Sequence, residues 1–97
     1  MIAAQDDDLP ALICTPPGLY RHYKGGMYAV LATTRHSESL EPMTLYRALY
    51  GAHGLWVRPA AMFDEMVQYQ GVMQRRFTRT GDLPQEDAGS LTLICHK

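Results

Sequence analysis

The sequence predicts a mainly β domain: a small SH3-like bent barrel of four to five antiparallel strands, with a short helical turn near residues 60–65. Short runs rich in β-branched and aromatic residues recur between positions 19 and 78. Tight glycine- or proline-bearing turns separate them, as at Gly25-Gly26, Pro42 and Gly51–Gly54. The single helix-like stretch, AAMFDEM at 60–66, is too short for a helical layer and falls just before the last strand candidates.

Length allows one modest domain, since the chain has 97 residues. A domain of this size buries only roughly 60–65% of its unfolded surface, so each large side chain weighs heavily. No run approaches the roughly 20 apolar residues of a membrane span. The opening residues MIAAQDDDLP are acidic and lack a signal-peptide pattern, which leads to the expectation of a cytoplasmic chain. Cys14 and Cys95 belong to no metal-ligand spacing. The reading for them is reduced thiols, with a bridge between the ends left open.

The net charge of −1 is unevenly spread. Residues 16–80 carry eight Lys/Arg against Glu38, Glu41, Asp64 and Glu65, a balance of +4, whereas residues 1–15 carry −3 and residues 81–97 carry −2. This divides the chain into an acidic arm (1–15), a β domain (16–80) and a tail (81–97), the last ending in a possible extra strand, LTLIC. A mildly basic centre attracts anions. It is far less basic than DNA-binding domains usually are.

In order, Pro16-Pro17-Gly18 marks the domain start, and LYRHYK (19–24) reads as a short strand. MYAVLATTR (27–35) is long enough for a full strand, but both of its faces carry apolar residues, so periodicity does not settle which is buried. HSESLEP (36–42) is a polar loop. MTLYRALY (43–50) and LWVR (55–58) form a hairpin, in preference to a helix, because of the intervening glycines and the β-rich return. Pro59 stops the return strand. Residues 67–69 and 73–78 are short strand candidates around Gly71.

If residues 51–54 form the hairpin loop, Tyr50 faces Leu55, Leu49 faces Trp56, Ala48 faces Val57 and Arg47 faces Arg58. Alternation then puts Tyr46, Ala48, Tyr50, Leu55 and Val57 on a core face, and Leu45, Arg47, Leu49, Trp56 and Arg58 on the other. Arginines opposed across a ladder repel. Either nearby carboxylates (Glu38, Glu41, Asp64 or Glu65) pair with them, or they fork onto an anion while Trp56 supplies a stacking plane.

PGLYRHYKG (17–25), Tyr28, Val30-Leu31, RHSES (35–39), YRALYG (46–51), HGLWVRP (53–59) and MF (62–63) follow one another in an order and spacing that resembles the bacterial DUF1653 family. The resemblance covers residues 17–79. Ala52 stands where a more polar turn residue is expected. The resemblance implies no activity, since the family is one of unknown function.

Arg35-His36-Ser37-Glu38 offers a base, a hydroxyl and a carboxylate. Strand neighbours point to opposite faces, however, and a working triad is assembled from separated segments. His22, His36 and His53 show no paired metal-ligand spacing, and no GK[ST] follows any of the glycines. Five tyrosines interleaved with arginines suit a small core, or a stacking surface for single-stranded nucleic acid. The expected function is a non-enzymatic binding module presenting Arg35, His36, Glu38, Arg47, Trp56 and Arg58 to an anionic ligand or peptide-like protein partner, with no cofactor, metal, catalytic residue or membrane. A nucleic-acid-binding β-barrel and a small hydrolase-like enzyme centred on residues 35–38 are the alternatives.

Overall fold

The computed structural model describes Leu12 and residues 14–84. The extra strand considered for LTLIC, most of the acidic arm and most of the tail lie outside these residues. The described chain is mainly β, with two antiparallel sheets and one short helix. Strands β1 (Gly18–His22), β2 (Met27–Arg35), β3 (Pro42–Ala48), β4 (Leu55–Pro59) and β7 (Phe77–Gly81) form a five-stranded sheet in the order β4-β3-β2-β1-β7. Helix α1 (Ala60–Phe63) follows β4, and β5 (Met66–Tyr69) and β6 (Val72–Arg75) pair as a separate hairpin. No helix among the described residues is long and apolar enough to cross a membrane.

Each connection follows from local chemistry. The β1–β2 turn closes through His22 N–H to Gly26 O and Gly25 N–H to His22 O, both 2.7 Å, with Gly25 at φ 109°. The β5–β6 turn places Gln70 and Gly71 in the left-handed region, as a tight hairpin requires. The strand expected over 73–78 is split at Arg76. The Arg76 N–H bonds Glu65 O at 2.8 Å, and its guanidinium pairs with the Glu65 carboxylate at 3.0 Å. That clamp sends residues 72–75 into the small sheet and 77–81 into the large one. Gly18 is required by close approach: a Cβ there would lie 2.6 Å from both Gly81 O and Arg79 Nε.

The two-sided apolar pattern of β2 has a physical cause. A β-bulge between Val30 and Ala32 shifts the register against β3, so Val30 pairs with Tyr46 and Thr33 with Thr44. Both of these β3 residues lie on one face, although Val30 and Thr33 are an odd number apart. That face is the core. Tyr20, Val30, Tyr46, Phe63 and Phe77 pack there, with Phe63 and Phe77 stacked at 3.9 Å and only 3° apart in plane. Tyr20 meets Phe63 edge-on at 5.4 Å and donates its hydroxyl to Pro16 O at 2.7 Å.

The sheet curls, but among the described residues its ladder does not close, leaving β4 and β7 as edges. Four inter-strand gaps would span roughly 19 Å if flat. Yet the Arg58 guanidinium of β4 lies 5.8 Å from the Phe77 ring of β7, across the concave side. Thr15 is buried against this core, with its N–H on Thr33 Oγ1 at 2.9 Å and its hydroxyl 2.6 Å from that of Thr44. Cys14 is buried and disulfide-bonded, which corrects the expectation of a reduced thiol. Cys95 lies outside the described residues.

Candidate binding pocket

The β3–β4 hairpin turns earlier than the sequence suggested. Ala48 N–H bonds Gly54 O at 3.0 Å, and His53 N–H bonds Tyr50 O at 3.1 Å. Gly51 and His53 both take positive φ. The loop therefore runs over residues 49–53 and not 51–54. Arg47 now faces Leu55, Tyr46 faces Trp56, Leu45 faces Val57 and Thr44 faces Arg58. The shift is odd, so it turns β4 over. The expected core positions Leu55 and Val57 are 56% and 54% exposed, and Tyr50 at 53% lies at the hairpin tip. Trp56 and Arg58 move to the side of Tyr46. Arg47 and Arg58 do not oppose each other, and the two-arginine fork is lost.

Turning β4 over builds a pocket of about 280 Å³ at the tip end of the concave face, lined by Tyr28, Tyr46, Ala48, Tyr50 and Trp56 with the loop backbone around Gly51. Tyr28 is its hinge. Its ring meets Tyr46 edge-on at 5.4 Å and Tyr50 at 5.5 Å, and its hydroxyl shares a short hydrogen bond with that of Tyr50. Burial first, and then this bond, push the Tyr28 phenol up to about 12. It stays a neutral hydroxyl at any physiological pH. Gly26 keeps the rim open, since a Cβ there would crowd Tyr28 and Tyr50 at 3.3 and 3.4 Å.

Arg58 lies further along the same face. No carboxylate pairs with it among the described residues, and its charge is felt at both Tyr28 and His22. His22 packs edge-on against Phe77 at 5.0 Å, and its Nδ1 accepts the Lys24 N–H at 3.1 Å. Burial and then the charges of Arg76, Arg58 and Lys24 hold this imidazole below its ordinary pKa. The pocket is thus aromatic and apolar, with positive charge beside it.

The other expected site residues are elsewhere. Arg35 pairs with Pro42 at the far end of the β2–β3 ladder. Trp56 is level with Tyr46, roughly 13 Å along β3 at strand spacing. Arg35 Nη1 donates to Leu40 O at 3.2 Å, and His36 Nδ1 accepts the Glu38 and Ser39 N–H groups, each at 3.1 Å. These side chains hold the loop around Leu40, whose φ is +67°. Glu38 is exposed in that loop. A second cavity of about 210 Å³ lies near it, between Glu41, Pro42 and the α1 residues Ala60 and Ala61. Of the six residues expected to form one site, Trp56 alone lines the pocket and Arg58 lies two residues along the same face, while Arg35, across from Pro42 on that face, sits at its far end. Tyr28 and Tyr50 were missed because the assumed register pointed Tyr50 inward and left Trp56 across the sheet from Tyr46.

A family model described as a protein of unknown function (DUF1653) matches residues 18–79. The crystal structure of a DUF1653 protein from Bordetella bronchiseptica is similar, with 34% sequence identity and a TM-score of 0.66 over 74% of this chain and 95% of that one. No curated protein matches the sequence. On the extent of the family match and of the structural likeness, this chain belongs to the DUF1653 family.

Proposed function

We propose that the chain is a small non-enzymatic binding module, with the curled sheet acting as an SH3-like scaffold and the tyrosine–tryptophan pocket receiving an apolar or aromatic group of a peptide-like partner. The observation that carries this is Trp56. Its indole is 60% exposed beside a pocket, while its ladder partner Tyr46 is buried. Tryptophan is the side chain most often found to anchor interfaces, because it contributes a large rigid surface together with one N–H donor. A pocket of about 280 Å³ accepts one side chain and little more.

Trp56 is the only tryptophan in the chain, so its emission reports on the pocket alone. Capped short peptides bearing tyrosine, leucine, proline or aspartate are titrated against the protein. The expected result is a saturable blue shift for a subset of them. Emission that stays unchanged across the whole set overturns the reading.

A further inference from the structure

We infer that the partner binds by strand addition: an extended segment carrying an apolar or aromatic residue and an acidic residue two positions apart lies along the free edge of β4. This rests on the binding-module reading and specifies its partner. Among the described residues β4 pairs with β3 on one side only. Ala48 N–H to Gly54 O makes that pair a hydrogen-bonded one, so by antiparallel alternation Trp56 and Arg58 bond back to β3. The N–H and C=O groups of Leu55 and Val57 therefore point outward.

Edge strands are usually blunted by charges, by proline or by covering segments. The opposite edge, β7, is polar: it reads Phe-Thr-Arg-Thr-Gly, and Arg79 on it is tied to Pro17 O and Asp82. Among the described residues nothing covers the outer edge of β4, and its residues 55–57 carry neither charge nor proline. Leu55, Trp56 and Val57 are each more than half exposed, and Pro59 comes only at the end of the strand.

Geometry also sets what the added strand must carry. Residues opposite Trp56 and Arg58 would sit at non-hydrogen-bonded positions of the new ladder, where side chains approach most closely. One would enter beside the Trp56 indole and the pocket. The other, two residues away on the same face, would meet Arg58, which has no carboxylate partner among the described residues. A second copy of this chain fits less well. In antiparallel self-pairing, residues 53–59 oppose themselves, and HGLWVRP contains no carboxylate to offer Arg58.

The test uses a capped peptide of alternating valines whose other face carries tyrosine and aspartate two residues apart, read by Trp56 emission and, for Trp56→Ala, by titration calorimetry. Val57→Pro removes one outward N–H without touching the β3 ladder, as an edge position allows. It should melt within a few degrees of the parent and bind about tenfold more weakly or worse. The same peptide N-methylated at alternate residues should not bind the parent, and this arm decides the matter if Val57→Pro does not fold. Exchanging aspartate for lysine should weaken binding to the parent but not to Arg58→Gln. If Val57→Pro or the N-methylated peptide binds at full strength while Trp56→Ala abolishes binding, strand addition is wrong and the pocket reading stands. If no peptide perturbs Trp56, both fall. A parent that sediments as a dimer, with Val57→Pro monomeric, gives the edge to a second copy and overturns the peptide partner.

Discussion

Trp56 stands directly across the β3–β4 ladder from Tyr46, and the two differ sharply in environment. Tyr46 is 7% exposed among Phe63, Phe77 and Tyr28, whereas Trp56 projects from the lip of the same face. Tyr46 belongs to the core at its inner end, and Trp56 borders that core without closing it.

Truncations should separate these roles in a denaturant titration. Trp56→Ala is expected to cost about 1 kcal/mol or less, the range for an exposed strand position. Phe63→Ala, which opens a cavity under a side chain 1% exposed, should cost about 3–5 kcal/mol. A comparable loss for Trp56→Ala would place the indole in the core and remove it as a ligand platform.

The β character, the hairpins around Gly25, Gly51 and Gly71, and the helical turn after Pro59 were all legible from composition and turn chemistry. The pocket was not, because it depends on the parity of one loop. Placing the turn at 51–54 or at 49–53 costs nothing in composition. It nevertheless decides whether Trp56 shares a face with Tyr46 or with Arg47. The bulge at Leu31 hides the core face of β2 in the same way: one extra residue puts Val30 and Thr33 on a common side, and no alternation count reveals it. His36 resembled a catalytic base for a related reason. The loop that it holds through Glu38 N–H and Ser39 N–H exists only once the chain has folded.

The buried hydroxyl pair of Thr15 and Thr44 ties the segment before β1 to the sheet, and it should behave as a coupled unit. Thr44→Val leaves the Thr15 hydroxyl buried without a partner and should cost about 1–3 kcal/mol. Thr15→Val with Thr44→Val replaces both groups by near-isosteric apolar ones and should recover most of that loss. Strict additivity of the two single changes in the cycle would show that the hydroxyls do not depend on each other.

The Tyr28–Tyr50 bond sets a pH dependence at the alkaline end. Tyr28 is raised from an ordinary 10.0 to about 12, so the folded chain holds that proton more tightly than the unfolded one. The stability this contributes is fully present below about 10 and is lost as pH rises towards 12. Tyr50→Phe removes the second-largest cause of the shift. Phenolate absorbance should then show Tyr28 ionising earlier, and the alkaline loss of stability should narrow. An unchanged phenolate titration would mean that burial alone sets the Tyr28 proton.

His22 provides the acid-side counterpart. Its imidazole is held below the ordinary 6.5, by burial first and then by Arg76, Arg58 and Lys24. Protonating Nδ1 would also displace the Lys24 N–H that it accepts. The folded chain thus binds this proton less readily than the unfolded chain. The associated stability is complete above 6.5 and falls as pH drops through the lowered pKa. Arg58→Gln removes one of the three charges and leaves burial in place, so the His22 ring proton in an NMR titration should shift its midpoint upward but keep it below 6.5. The same variant should lose less stability between neutral and acid pH than the parent. A His22 midpoint that does not move in Arg58→Gln would show that the guanidinium over Phe77 is too well solvated to act on the concave face, and it would remove the electrostatic basis for an acidic residue opposite Arg58.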